Sequence, residues 1–228
     1  MSNYFSFRKK FFDRVDLSYF GIIGTVIILI SFLLTAIMYR GSDGSTYSPL
    51  NHFVSELGYV GVSEFAWLFN GGLIIGGLFI IVFMWGLGGV IKSRLSEITS
   101  IIGIVSAIFA TLVGVFPMNN LRLHSFVALS YFYTGLITIL FFSIAIYRDE
   151  NKTLPIWFVW FGIGLFVAFF VFLFFPFNDP RTANFQLSDI DAIRPSPIWG
   201  IALVEWVSVL GITLWLMVLS FYLRISKN

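Results

Sequence analysis

Charge is what this sequence has least of. Asp, Glu, Lys and Arg make up 11% of its 228 residues, against about a quarter in a soluble domain. A water-facing globule of this size is excluded before any motif is read. Cysteine is absent, which removes disulfides, thiolate metal sites and a cysteine nucleophile. The fourteen basic residues are dispersed through short segments rather than gathered on one face, so no nucleic-acid partner is expected.

What is there is apolar: 58% of residues are hydrophobic and the mean hydropathy is +0.90. A span needs roughly 20 mostly apolar residues to cross about 30 Å of hydrocarbon. Six stretches qualify, at about 20–39, 65–91, 98–116, 124–147, 156–176 and 198–223. Arg8, Lys9, Lys10 and Arg14 precede the first, but that run is too long for a signal core and no A-x-A-like site follows. It is expected to stay as a span. The expected fold is all-α: a polytopic membrane protein, one domain over 1–228, built as a six-helix bundle.

Orientation follows from the basic residues. Ten of the fourteen lie in the N-terminal segment, the 92–97 and 148–154 connections, and at Arg224 and Lys227. Only Arg40, Arg122, Arg181 and Arg194 fall on the other side. That excess places both termini in the cytoplasm of a cell membrane. The long connections, 40–64 and 177–196, are then outside, where functional material is expected. Gly72 and Gly76 are spaced for close helix packing within the bundle. Tyr39, Trp67, Trp157 and Trp199 are expected in an interfacial belt, and the Phe5–Phe12 stretch as an anchor at the inner interface.

A short pattern recurs near the outer ends of spans: Pro49-Leu50-Asn51, Pro117-Met118-Asn119 and Pro176-Phe177-Asn178. It fits either a threefold repeat of helical hairpins or the ordinary turn chemistry of Pro and Asn.

Candidate chemistry is concentrated outside. Ser48 before Pro49 is a helix start and Gly58 a helix stop, so a short helix is expected at about 49–57. On it His52, Ser55 and Glu56 would share one face, beside Asn51. His124 opens the fourth span. Glu205 lies inside the sixth, roughly 12 Å below its outer end, where an ionisable group costs a few kcal/mol and must face the bundle and find a partner. Ser208 shares its face, and Arg194 is a plausible counter-charge for Glu205 or Glu56. These residues are open to three readings. They fasten the loop to the bundle, as in a structural or accessory subunit; they bind a lipid headgroup or small solute; or they carry hydrolysis or acyl transfer on a lipid. Within the last, His52, Glu56 and His124 offer two nitrogens and an oxygen to zinc. No cofactor is otherwise indicated. Membrane lipids are the expected partners, with a second membrane protein at 177–196 as an alternative.

At these residues the sequence resembles the prokaryotic membrane family described as domain of unknown function 998. The resemblance is carried by Ser48-Pro49 followed by Phe53-Val54-Ser55-Glu56-Leu57-Gly58, by Ala66-Trp67-Leu68-Phe69-Asn70, by Phe116-Pro117 with His124, and by Glu205-Trp206. It implies a six-span protein. It also implies a distant similarity to the Frag/DRAM/Sfk membrane proteins, some linked to remodelling of lipid anchors. Fold-level likeness does not transfer chemistry. The acidic segment 177–196, with Asp179, Asp189 and Asp191, departs from the family pattern.

The orientation is tested by accessibility. A cysteine at Ser96 should be shielded from an impermeant thiol reagent on intact cells, and one at Ser188 labelled. The reverse pattern would overturn it.

Overall fold

The computed structural model describes residues 7–8, 10–41, 44–175 and 197–226. Six helices are each long and apolar enough to cross a membrane: α1 Leu17–Met38, α2 Ala66–Leu87, α3 Arg94–Val115, α4 Leu121–Tyr147, α5 Trp157–Phe174 and α6 Gly200–Ile225. Among the described residues there is no strand. Polar caps set several starts. The Asp16 carboxylate accepts from the Ser18 N–H at 2.9 Å, Ser93 Oγ from the Ser96 N–H at 3.1 Å, and Asn120 Oδ1 from the Leu123 N–H at 3.3 Å. Each cap satisfies an N–H that the first turn of a helix leaves bare.

Each helix packs chiefly against its neighbours in sequence, and α1 packs against α6. The bundle is therefore a closed ring of six helices with an axial space inside. Close approach needs glycine where α1 crosses α2. A Cβ on Gly76 would sit 2.8 Å from the Gly24 carbonyl, and one on Gly24 2.9 Å from the Gly76 carbonyl. Gly72 meets Ser31 of α1 in the same way, so this spacing serves packing within the chain.

Six spans put both termini on one face, here the terminal face; the opposite face is distal. The terminal face is fastened by ion pairs. The Arg8 guanidinium donates to both oxygens of Glu97, at 2.6 and 2.5 Å, and Arg224 donates to Asp16 at 3.2 Å. Phe11 and Phe12 pack on Trp85 of α2, so the described part of the N-terminal segment is docked on the bundle. The expected aromatic belt divides. Trp67 and Trp157 are exposed, as a belt requires, whereas Tyr39 and Trp199 are buried under the loop between α1 and α2. Ser96 is fully buried, so exposed Lys92 replaces it as the labelling position on the terminal face. Ser188 lies outside the described residues, and exposed Glu64 serves on the distal face.

Candidate functional site

The loop between α1 and α2 folds back over the distal mouth of the ring. A helix over 49–57 is not what forms there. Ser48 does open a turn, its carbonyl accepting from the N–H groups of Asn51 and His52 at 3.1 and 3.0 Å. Phe53 is then extended, at φ −66 and ψ 150, and a 3-10 helix runs over Val54–Gly58. The reason lies in the carbonyls. That of Phe53 accepts from the Tyr47 hydroxyl at 2.7 Å, and that of His52 from Trp206 Nε1 at 3.1 Å. Side chains supply hydrogen bonds that a continuous α-helix would have made for itself.

The rest of this cap is held the same way. Glu205 of α6 accepts from the Val54 N–H at 2.7 Å, and Glu56 from the Phe53 N–H at 2.7 Å. Asn70 of α2 donates to the Gly58 carbonyl at 2.9 Å. Asn119 donates to the Val60 carbonyl at 2.8 Å and accepts from its N–H at 3.0 Å. The backbone N–H of Trp199, the residue before α6, donates to the Leu50 carbonyl at 2.7 Å. Backbone buried at the end of an apolar bundle must be paired, and here most partners come from distant parts of the chain.

Tyr47 stands at the centre of this network. It receives the Trp206 Nε1 proton at 2.8 Å and packs against His52 and Trp206. Burial, reinforced by the nearby carboxylates of Glu56 and then Glu205, holds its phenol well above the ordinary tyrosine range. It therefore keeps its proton and remains a donor to Phe53.

The composite face of His52, Ser55 and Glu56 does not exist. His52 precedes the 3-10 helix, Ser55 lines a cavity below the loop, and Glu56 is taken up by the Phe53 N–H. His52 is buried against Tyr39 and Tyr47, with Nδ1 2.7 Å from Asn51 Oδ1. Glu56 is buried and turned back on Phe53. Among the described residues no three of His, Cys, Asp and Glu come together as a metal ion would require, so the zinc set of His52, Glu56 and His124 is not assembled. Arg194, Asn178 and the segment 177–196 lie outside the described residues. The two described Pro-x-Asn copies do different work: Asn51 pairs with its neighbour His52, while Asn119 grips Val60 in another loop. The third copy, at 176–178, lies outside the described residues.

Beneath the cap lies an axial cavity of about 130 Å³. Its wall runs along α4 from His124 to Phe142, roughly 27 Å at 1.5 Å per residue, so it is long and narrow. Most of that wall is apolar. Of its polar side chains, Ser106, Thr138 and Thr213 spend their hydroxyls on backbone carbonyls. Ser55, His124, Tyr131 and Glu205 remain. His124 Nδ1 donates to the Phe116 carbonyl at 2.9 Å. A carbonyl can only accept, so in the neutral ring Nε2 carries the lone pair. Nε2, the Ser55 and Tyr131 hydroxyls and the second Glu205 oxygen have no hydrogen-bond partner among the described residues.

Sequence reasoning thus named three of the four cavity groups and missed Tyr131. Its spacing of i, i+7 from His124, two helical turns along one face, was the available signal. It also missed Tyr47 and Asn70, which act on backbone groups that no pattern marks. Ser208 shares a face with Glu205 but returns its hydroxyl to the Val204 carbonyl at 2.8 Å.

The family model described as Protein of unknown function (DUF998) matches residues 22–222. No curated protein and no solved structure matches the chain. The residues that carry the resemblance meet in space: the cap, Asn70, Phe116, His124, Glu205 and Trp206 form its seat and the polar end of the cavity.

The Glu205 contact predicts a split between two substitutions. Glu205→Leu leaves the Val54 N–H unpaired and should lower stability in detergent by about 1–3 kcal/mol. Glu205→Gln keeps an acceptor and should lose much less. Equal thermal stability of the two variants would contradict the assigned bond.

Proposed function

The chain belongs to the DUF998 family, and we propose that it is a lipid-binding integral membrane protein whose ligand occupies the ring axis. The headgroup meets Ser55, His124, Tyr131 and Glu205, and the cavity of about 130 Å³ takes the few carbons of the tail beside it. One observation carries this reading. A narrow apolar cavity is lined by four polar groups with bonding capacity to spare, of which only Glu205 also holds the cap above them. A purely structural lock would spend its polar groups on the loop, as Glu56, Tyr47 and Trp206 do. Ligand sites combine an apolar lining with a few convergent polar groups in this way. With both termini cytoplasmic in a cell membrane, as the basic residues argue, the polar end belongs to the outer leaflet. Docking of a second protein through 177–196 concerns residues outside those described.

The same wall supports a second reading, a lipid hydrolase or acyltransferase, because it joins a hydroxyl, an imidazole lone pair and a carboxylate. Ser55→Ala separates the two: binding alone predicts retained ligand and no ester turnover in either protein, whereas catalysis predicts turnover that only the variant loses.

The binding reading is tested by native mass spectrometry of the purified protein. About one lipid per chain should survive mild activation. Ala110→Phe, which fills the cavity from α3, should remove it while the protein still folds. A wild-type chain without lipid, or a variant that retains it equally, would overturn the proposal.

A further inference from the structure

The geometry points to a second site, on the outer wall of the ring and separate from the axial cavity: a seat for an anionic diacyl phospholipid where α3 and α4 meet at the terminal face. There α3 begins at Arg94, and α4 ends at Tyr147 with Arg148 next in the chain. The two helices pack on each other, which sets their axes about 8–10 Å apart. Lys92 and Arg94 therefore share one corner of the face with Arg148 and Lys152. All four are exposed, and their side chains make no ion pair or hydrogen bond among the described residues. The acids nearby do not cancel them. Glu97 is already neutralised by Arg8, so four positive charges face only Asp149 and Glu150. Asp149 also turns its oxygens to the N–H groups of Asn151 and Thr153, at 3.2 and 2.8 Å.

The wall next to this corner is apolar in a particular pattern. Arg94 heads a row on α3 that continues through Ile98, Ile101, Val105 and Ile108, steps of four and three residues that stay on one helix face. All four apolar members are exposed. On α4, Tyr133, Ile137 and Ile144 lead to Arg148 by steps that stay on one face in the same way. Tyr133 and Ile137 are exposed and Ile144 is half-buried. Basic residues at span ends set orientation wherever they lie, but orientation does not require that arginines head lipid-facing rows. Acyl chains can lie along the two rows while the phosphate reaches the arginines at their ends. A guanidinium holds phosphate oxygens through two parallel hydrogen bonds, and each basic residue near the surface attracts an anionic headgroup. A zwitterionic headgroup brings its own cation to the same corner and gains less.

The full chain is placed in nanodiscs of equimolar phosphatidylcholine and phosphatidylglycerol with matched acyl chains. Lipids that leave with the protein are counted by class in native mass spectrometry. Phosphatidylglycerol adducts should exceed phosphatidylcholine adducts about tenfold at low salt, which corresponds to about 1.4 kcal/mol. The ratio should fall as salt screens the headgroup. Arg94→Gln combined with Arg148→Gln should remove most of the preference. Lys10→Gln combined with Arg14→Gln takes the same charge from the same face and should keep it. Ala110→Phe, which fills the axial cavity, should keep it too. Free glycerol 3-phosphate should not displace the lipid, because it has no chain to lie on the rows. An absent preference, equal preference in the two double variants, its loss in Ala110→Phe, or displacement by glycerol 3-phosphate would each overturn the site.

Discussion

Backbone buried outside a helix at the end of an apolar bundle has no water to bond with, and that constraint organises the distal half of this protein. The hydrogen bond from the Val54 N–H to Glu205 joins residues 151 positions apart and ties the cap to the last helix. Around it Asn70, Asn119, Tyr47 and Trp206 take the remaining exposed backbone groups. A carboxylate inside a span is costly to place. Here one of its oxygens offsets part of that cost by satisfying a buried amide, which would otherwise carry its own penalty of about 1–3 kcal/mol.

The closed ring gives this cap something to cover. Helices that pack on their sequence neighbours, with α6 returning to α1, leave an axial space that side chains fill incompletely. Polar residues at the distal end then fall into two sets. His52, Glu56, Tyr47 and Trp206 hold the cap; Ser55, His124, Tyr131 and Glu205 line the space below. Glu205 belongs to both, holding Val54 and lining the space. Anything bound in the cavity is therefore coupled directly to the residue that holds the cap in place.

The six spans were legible because hydropathy over about 20 residues needs no knowledge of neighbours, and the helix ends moved by only a few residues where caps such as Asp16 and Ser93 decided them. Glu205 was legible as a buried residue in need of a partner. Its partner was not, because a backbone N–H leaves no trace in sequence. The short helix at 49–57 failed for the same reason. Ser48, Pro49 and Gly58 are real signals of turn and stop, but Tyr47 and Trp206 compete for the carbonyls of Phe53 and His52 and break the run in two. His124 was found as a rare residue at a span end, whereas Tyr131 was lost among the aromatics of an apolar helix.

Amide hydrogen exchange at Phe53 and Val54 in the nanodisc-embedded protein tests the central claim most directly. A cap fixed by Glu56 and Glu205 predicts exchange on the order of a hundredfold or more slower than that of a freely exposed loop. Exchange at the rate of a solvated loop would mean that the cap is not held over the cavity beneath it.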